Sequence, residues 1–251
     1  MLLEATGLSK RFGGVHAVEQ VDLAIDAGQA VGLIGPNGAG KTTLINVLSG
    51  HLHADAGRIR FRGEDVSGSQ PHELARRGIA RTFQGIRLFR GLTVLENVLV
   101  GRHSRMRPDV LAALIPFRRG RRTADEARAL ALLERVGLSA RAGSLAGALP
   151  YGDQRRLEIV RALAAEPAVL ILDEPAAGMN ATESAALRVL MRSLVSDGLA
   201  IVLIEHDVRL VMGTCERVAV LNFGRKIAEG TPAEVRGDPA VREAYLGAED
   251  E

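Results

Sequence analysis

The chain has 251 residues, 47% hydrophobic and 25% charged, an ordinary globular composition that suits one or two domains and can bury a large core. A formal net charge of +2 argues against the strong basic footprint of a nucleic-acid binder, and a single cysteine, Cys215, excludes an internal disulfide and fits a reducing compartment. The six histidines show no zinc-like spacing, no apolar run approaches the ~18 residues of a membrane span, and no signal peptide is expected from the start MLLEATGLSKRF.

The first sixty residues read as β-rich. LLEATGLS and AVEQVDLAI alternate around turn chemistry at Gly13 and Gly14, and AVGLIG (Ala30 to Gly35) is a continuous apolar run, the pattern of a strand buried on both faces. KTTLINVLSG reads as a helix stopped by Gly50, GRIRFRGED as one half-exposed strand, and GIARTFQ as a short strand ending at Gln84. From about 85 to 155 the pattern turns helical. TVLENVLVG carries Leu95, Val98 and Leu99 at helical spacing, and DEARALALLERVG faces Leu130, Leu133 and Val136 inward, with Gly137 as its stop. Between them, RHSRMRPDVLAALIPFRRGRR reads as an irregular connection around a short apolar helix. Beyond 156, AVLILDEP and LAIVLIEHD are apolar runs ending in acid or histidine. That is a parallel sheet with polar chemistry at its strand ends, where open α/β sheets place ligands. RVAVLNFGRKIAEG reads as a hairpin turning at Asn222 to Gly224, followed by a small helical close and a frayed acidic tail.

Chemistry concentrates at four of these strand ends. GPNGAGKT, Gly35 to Thr42, fits G-x-x-x-x-G-K-S/T between a buried strand and a helix. The loop formed by Gly35, Pro36, Asn37, Gly38, Ala39 and Gly40 can curl its backbone N–H groups onto phosphate oxygens, and the helix N-terminus adds partial positive charge. Lys41 supplies a point charge for the β- and γ-phosphates and Thr42 a hydroxyl for Mg²⁺. In VLILDEP, Asp173 can hold Mg²⁺ while the adjacent Glu174 orients and deprotonates an attacking water. His206 and Gln84 also end strands; the first could reach a γ-phosphate, the second could ligate Mg²⁺ or the water. A further stretch, LPYGDQRRLE, has Gly152 at the start of a helix, a second anion-binding geometry that one bound nucleotide does not need.

GPNGAGKTT, a strand-ending Gln84, LPYGDQRRLEI, VLILDEP, AAGMN and His206 occur in an order and spacing that resembles ABC-transporter ATP-binding subunits, across essentially the whole chain. The resemblance implies an α/β fold: a P-loop NTPase (RecA-like) core with an N-terminal antiparallel β-subdomain and an inserted α-helical subdomain. It implies one cassette over 1–251, with core and β-subdomain in 1–84 and 156–251 and the signature subdomain in 85–155. It implies ATP and Mg²⁺ as ligands, with Thr43 completing the phosphate loop and Phe12 stacking on adenine. It also implies that LPYGD is the signature motif, which serves nucleotide held by a second cassette paired head to tail. Tyr151, Gly152 and Asp153, with Asn180 of the D-loop, then face that partner's ATP. Here the motif departs from the commoner L-S-G-G-Q: Pro150 cannot supply the serine's phosphate contact, and Asp153 is expected to turn its charge away from a triphosphate.

RTFQGIRLFRGLTVLENVLVG, DEPAAGMNATES and EGTPAEVRGDP look like the ATPases of bacterial branched-chain amino acid importers. That resemblance implies a homodimer or a pair with a paralogue, two transmembrane permease subunits, a periplasmic substrate-binding protein, and a place on the cytoplasmic face of the inner membrane. No nucleic-acid partner is expected. IRLF after Gln84 is the better candidate surface for the membrane subunit; FRRGRR reads as a solvated basic loop, or else a contact to anionic headgroups or to the membrane subunit. Lipopolysaccharide export and urea import use similar ATPases and stay open. Translation or DNA-repair ATPases of this type usually carry two cassettes or long coiled coils, and a regulator without turnover would not need both Glu174 and His206.

Overall fold

The computed structural model describes residues 1–102 and 119–246, with side chains described for 1–102 and 124–245. In chain order, β1 (Leu3–Phe12), β2 (Val15–Ile25), β3 (Ala30–Ile34), α1 (Lys41–Leu48), β4 (Ala56–Phe61), β5 (Glu64–Asp65), α2 (Pro71–Arg77) and β6 (Ile79–Arg81) come first. They are followed by α3 (Val94–Arg102), α4 (Arg119–Arg135) and α5 (Tyr151–Leu163). The chain then alternates through β7 (Val169–Asp173), α6 (Ala181–Ser196), β8 (Ala200–Ile204), α7 (Val208–Thr214), β9 (Arg217–Asn222) and β10 (Arg225–Gly230), and α8 (Pro232–Gly237) and α9 (Pro239–Leu246) follow.

The described strands make two sheets. One is antiparallel, in the order β2-β1-β4-β5; the other runs β10-β9-β3-β8-β7-β6 and is parallel except for β10, which returns beside β9. Burial on both faces of the larger sheet follows the two-residue period of its strands. Leu170, Leu172, Ile201, Leu203, Val218 and Val220 point into a core shared with the helices α3 to α8. Their neighbours Val169, Ile171, Val202, Ile204, Ala219 and Leu221 point the other way, into a core shared with α1 and the antiparallel sheet. Because β3, β6, β7 and β8 run in parallel, their carboxyl ends lie along one edge.

The structure departs from the sequence expectations in four places. GRIRFRGED is two strands, because Arg62 (φ +53°) and Gly63 (φ +81°) turn the chain back into a hairpin. GIARTFQ stops being a strand at Arg81, so Gln84 stands in the loop beyond it. Leu130 is 39% exposed, and Ala129 takes the inward position beside Leu133 and Val136. PHELARR forms α2, with Pro71 at its first turn and a capping box between Gln70 and Glu73. The expected irregular connection at 103–118 and the acidic tail lie outside the described residues, as do the side chains of FRRGRR; the backbone of Arg119–Arg122 opens α4.

Candidate active site

The phosphate loop joins β3 to α1 and is held from behind by two distant strands. Gly40 sits at φ +100°, and a Cβ there would stand 2.2 Å from the Ala17 carbonyl of β2, so the position admits only glycine. The Gly224 amide, in the β9–β10 turn, donates to the Ala39 carbonyl at 3.0 Å. No side chain caps the start of α1, which leaves that end free to meet an anion. Lys41 is buried, its Nζ donating to the carbonyls of Gly35 (2.6 Å) and Pro36 (2.9 Å). Burial lowers its pKa below the usual lysine value, with the Glu174 carboxylate opposing. An ammonium has three protons, so one remains for a phosphate.

This loop forms the floor of a cleft of about 570 Å³ lined by Asn37 to Thr43, by Gln84, Glu174 and His206, and by Val15, His16, Ala17 and Phe223. Glu174 is the meeting point. Its backbone takes the left-handed φ +48°, unusual for a residue with a Cβ, and its amide donates to the Ile204 carbonyl at 2.9 Å. Gln84 Nε2 donates to Glu174 Oε2 at 2.8 Å, and His206 Nε2 lies 2.6 Å from Glu174 Oε1. Both carboxylate oxygens are thus oriented from opposite sides, by neighbours standing beyond β6 and β8.

Asp173 lies beneath the cleft, almost fully buried. Arg81 Nη2 donates to its Oδ2 at 3.0 Å, and Arg81 Nη1 donates to Asn46 Oδ1 (2.7 Å) and Ser49 Oγ (2.9 Å). One guanidinium therefore stitches β6 and α1 to the acidic end of β7. Glu205 is likewise buried, accepting from the Ala176 amide at 2.7 Å and the His206 amide at 3.3 Å. Burial pushes its pKa up, and the nearby Glu174 charge adds to this. Sequence reasoning missed Arg81 and Glu205, although an arginine inside GIARTFQ and a second acid beside His206 were visible signals.

The other predicted residues stand apart from this cleft. Phe12 is half exposed at the end of β1, with Lys10 Nζ 5.8 Å from its ring centre, and does not line the cleft; Val15 and Phe223 do. Pro150 caps α5 without a side-chain bond. The Tyr151 ring lies against Gly178, and Gly152 against the Glu183 carboxylate, so the signature and D-loop segments of one chain are packed together. Asp153 is buried and paired with Arg141 (2.9 Å) and Arg156. The Asn180 side chain accepts from the Glu183 amide at 3.0 Å and caps α6.

The cleft therefore sets a glycine-rich loop at a helix start below an acid held by glutamine and histidine. Residues 18–177 match the family described as ABC transporter. The chain belongs to the ABC transporter family. It has the ABC ATPase fold and is an ATP-hydrolysing ABC ATPase, and its described helices include none long and apolar enough to cross a membrane. Residues 225–251 of this cassette match the family described as branched-chain amino acid ATP-binding cassette transporter. It is 46% identical to the high-affinity branched-chain amino acid transport ATP-binding protein BraF of Pseudomonas aeruginosa, over 98% of each chain. It is 45% identical to LivG of Escherichia coli K12, over 98% of each. The lipopolysaccharide export ATP-binding protein LptB of Haemophilus influenzae is 38% identical, covering 98% of this cassette and 97% of LptB. Among solved structures, an ABC-transporter cassette in its ADP conformation superposes with a TM-score of 0.86 at 33% identity, over 98% of each chain. A dimeric cassette in a post-hydrolysis state with ADP and Pi superposes with a TM-score of 0.78 at 25% identity, over 92% of this chain and 99% of that one.

Proposed function

We propose that this cassette drives an importer of branched-chain, hydrophobic amino acids, working as one of two head-to-tail cassettes beneath two membrane permease subunits that receive cargo from a periplasmic binding protein. The observation that carries the cargo is the 46% identity to BraF across 98% of both chains; the match of the C-terminal residues to the branched-chain family supports it. The cassette pair draws support from the dimeric relative. The cassette itself sits at the cytoplasmic membrane face. IRLF leads into a groove between α2 and α3 lined by His72, Ala75, Leu92, Leu99 and Val100, which is the surface offered to a permease.

In this reading the phosphate-loop amides, Lys41 and Thr43 bind the triphosphate. Glu174 takes a proton from the attacking water, and Gln84 and His206 hold its two oxygens so that the carboxylate faces the cleft. The oxygen donors Thr42, Asp173 and Gln84 suit Mg²⁺, which needs few protein ligands because phosphate and water supply the rest. Bound there, Mg²⁺ would neutralise charge building on the phosphate oxygens. Phe12 stacks on the adenine. Tyr151, Gly152 and Asn180 meet the γ-phosphate side of the partner's nucleotide, while Asp153 keeps its charge on Arg141 and Arg156. The bridging phosphate then holds the pair closed until it is cleaved.

Affinity purification of the tagged full chain from its native membrane tests the assembly. Reconstitution of the isolated complex into vesicles with ATP on the cassette side tests the cargo. Recovery of two permease subunits and ATP-dependent uptake of leucine, isoleucine and valine are expected; uptake of urea instead, or extraction of lipopolysaccharide, would overturn the assignment.

A further inference from the structure

Helix α5 does more than present Gly152 at its start. One turn further on it carries two charged side chains that are almost wholly buried, Arg155 (3% exposed) and Glu158 (2% exposed). Arg155 Nη1 donates to the Phe83 carbonyl at 3.0 Å and Nη2 donates to the Gln84 carbonyl. Nη1 also reaches Glu158 Oε2 at 3.3 Å, and Nε donates to the Tyr151 hydroxyl at 3.3 Å. Glu158 Oε1 accepts from the Arg87 amide at 3.1 Å. The segment from Phe83 to Arg87 is therefore gripped at both ends by one ion pair, whose members sit three residues apart on the same helix face.

A buried pair of this kind is a costly way to fill space, and apolar side chains would pack there at lower cost. Apolar side chains could not hold two carbonyls and an amide in fixed register. The hold matters because Gln84 hangs from the gripped backbone and reaches Glu174 through one hydrogen bond of 2.8 Å. A shift of about 1 Å breaks such a bond. The other end of the chain of contacts is Tyr151, whose hydroxyl and ring both meet the Arg155 guanidinium.

We infer that Arg155, braced by Glu158, is a positioning residue for Gln84: it ties the Tyr151–Gly152 helix start to the Gln84 backbone and so to the Glu174 carboxylate. A cassette then aligns its own catalytic carboxylate according to where its own signature helix sits. This rests on the proposed roles of Gln84 and Glu174. It adds to them a path by which the state of the neighbouring site reaches this one.

The test is a double-substitution cycle on the full chain, reading kcat and KM for MgATP together with the thermal midpoint. Gln84→Ala and Arg155→Gln should each lower kcat, Arg155→Gln by about tenfold, with KM little changed. The double variant should be no slower than the slower single. A double variant whose loss equals the product of the two single losses, or an Arg155→Gln cassette that hydrolyses ATP at the parent rate, would overturn the inference. If Arg155→Gln fails to fold, Arg155→Lys and Glu158→Gln carry the same cycle. Each should show the kcat loss without a KM rise and the same non-additivity with Gln84→Ala; additive losses in both would overturn the inference. Parent kcat in Gln84→Ala itself would instead remove the proposed role of Gln84, and this inference with it.

Discussion

Replacing Arg81 by alanine should unfold this cassette at a markedly lower temperature, for a reason that lies in Asp173. The two side chains are each 7% exposed and 3.0 Å apart. Taking away the guanidinium strands a carboxylate in low dielectric, a loss of about 3–5 kcal/mol. The same truncation removes the donor that Asn46 and Ser49 share, on the order of 1 kcal/mol each. Arg81 Nε has no partner, which offsets part of this by relieving a buried unpaired donor. A net 3–5 kcal/mol in a chain of this size lowers the midpoint by roughly 6–20 °C. Calorimetry and urea titration give both quantities, and equal urea slopes license the comparison. Adding Asp173→Asn to the Arg81→Ala cassette should win back about 2 kcal/mol or more, because the stranded charge is gone. If Arg81→Ala lies within about 1 kcal/mol of the parent, the pair behaves like an exposed one and the argument fails. A double variant no more stable than Arg81→Ala would equally refute it.

Three further outcomes follow from the site. Glu174→Gln should cut turnover by about 10²- to 10⁴-fold while leaving ATP affinity intact, seen by phosphate release and isothermal titration; parent-like hydrolysis would remove Glu174 from its role. Gly152→Ala should still fold, at a cost of about 1 kcal/mol because the Glu183 carboxylate must leave the Asn180 amide to admit a Cβ, yet lose hydrolysis because a partner's phosphate can no longer approach the backbone. Unfolding midpoint and turnover, measured together, separate the two effects, and unchanged turnover would exclude the close approach. Burial raises the Glu205 pKa above its unfolded value, so folding favours the protonated acid. The stability this group contributes is present below the unfolded pKa and is lost as pH rises through the folded one. Glu205→Gln lacks that loss, so its stability relative to the parent should increase as pH rises upward from the ordinary carboxylate range; a flat difference would discount the burial effect.

Contiguity decided how much could be read from sequence. The phosphate loop is one uninterrupted motif whose flanking strand and helix are also legible, so its place between β3 and α1 could be read from GPNGAGKT. The apolar runs of β3, β7 and β8 announced a buried parallel sheet, because strands covered on both faces leave no polar alternation. Glu174 and His206 were recognisable at the ends of apolar strands, and Gln84 as the end of a strand that in fact stops at Arg81. Their convergence on one carboxylate depends on the lateral order β6-β7-β8, which no spacing along the chain encodes. Arg81 escaped notice because a lone arginine in a short strand usually points to solvent, and only the neighbouring strand supplies its buried partner. Leu130 was misplaced by a single position: the helix is rotated so that small Ala129, not the larger side chain, sits at the tight contact. The hairpin at Arg62 was hidden because arginine is an unusual choice for a left-handed turn.

The phosphate loop has its shape imposed by segments far away in the chain, through the carbonyl of Ala17 on one side and the amide of Gly224 on the other. Possessing GPNGAGKT is therefore not the same as possessing a phosphate site. A fragment ending before Arg217 would retain every letter of the motif and lose the brace behind it, leaving the anion to organise a slack loop at its own entropic expense.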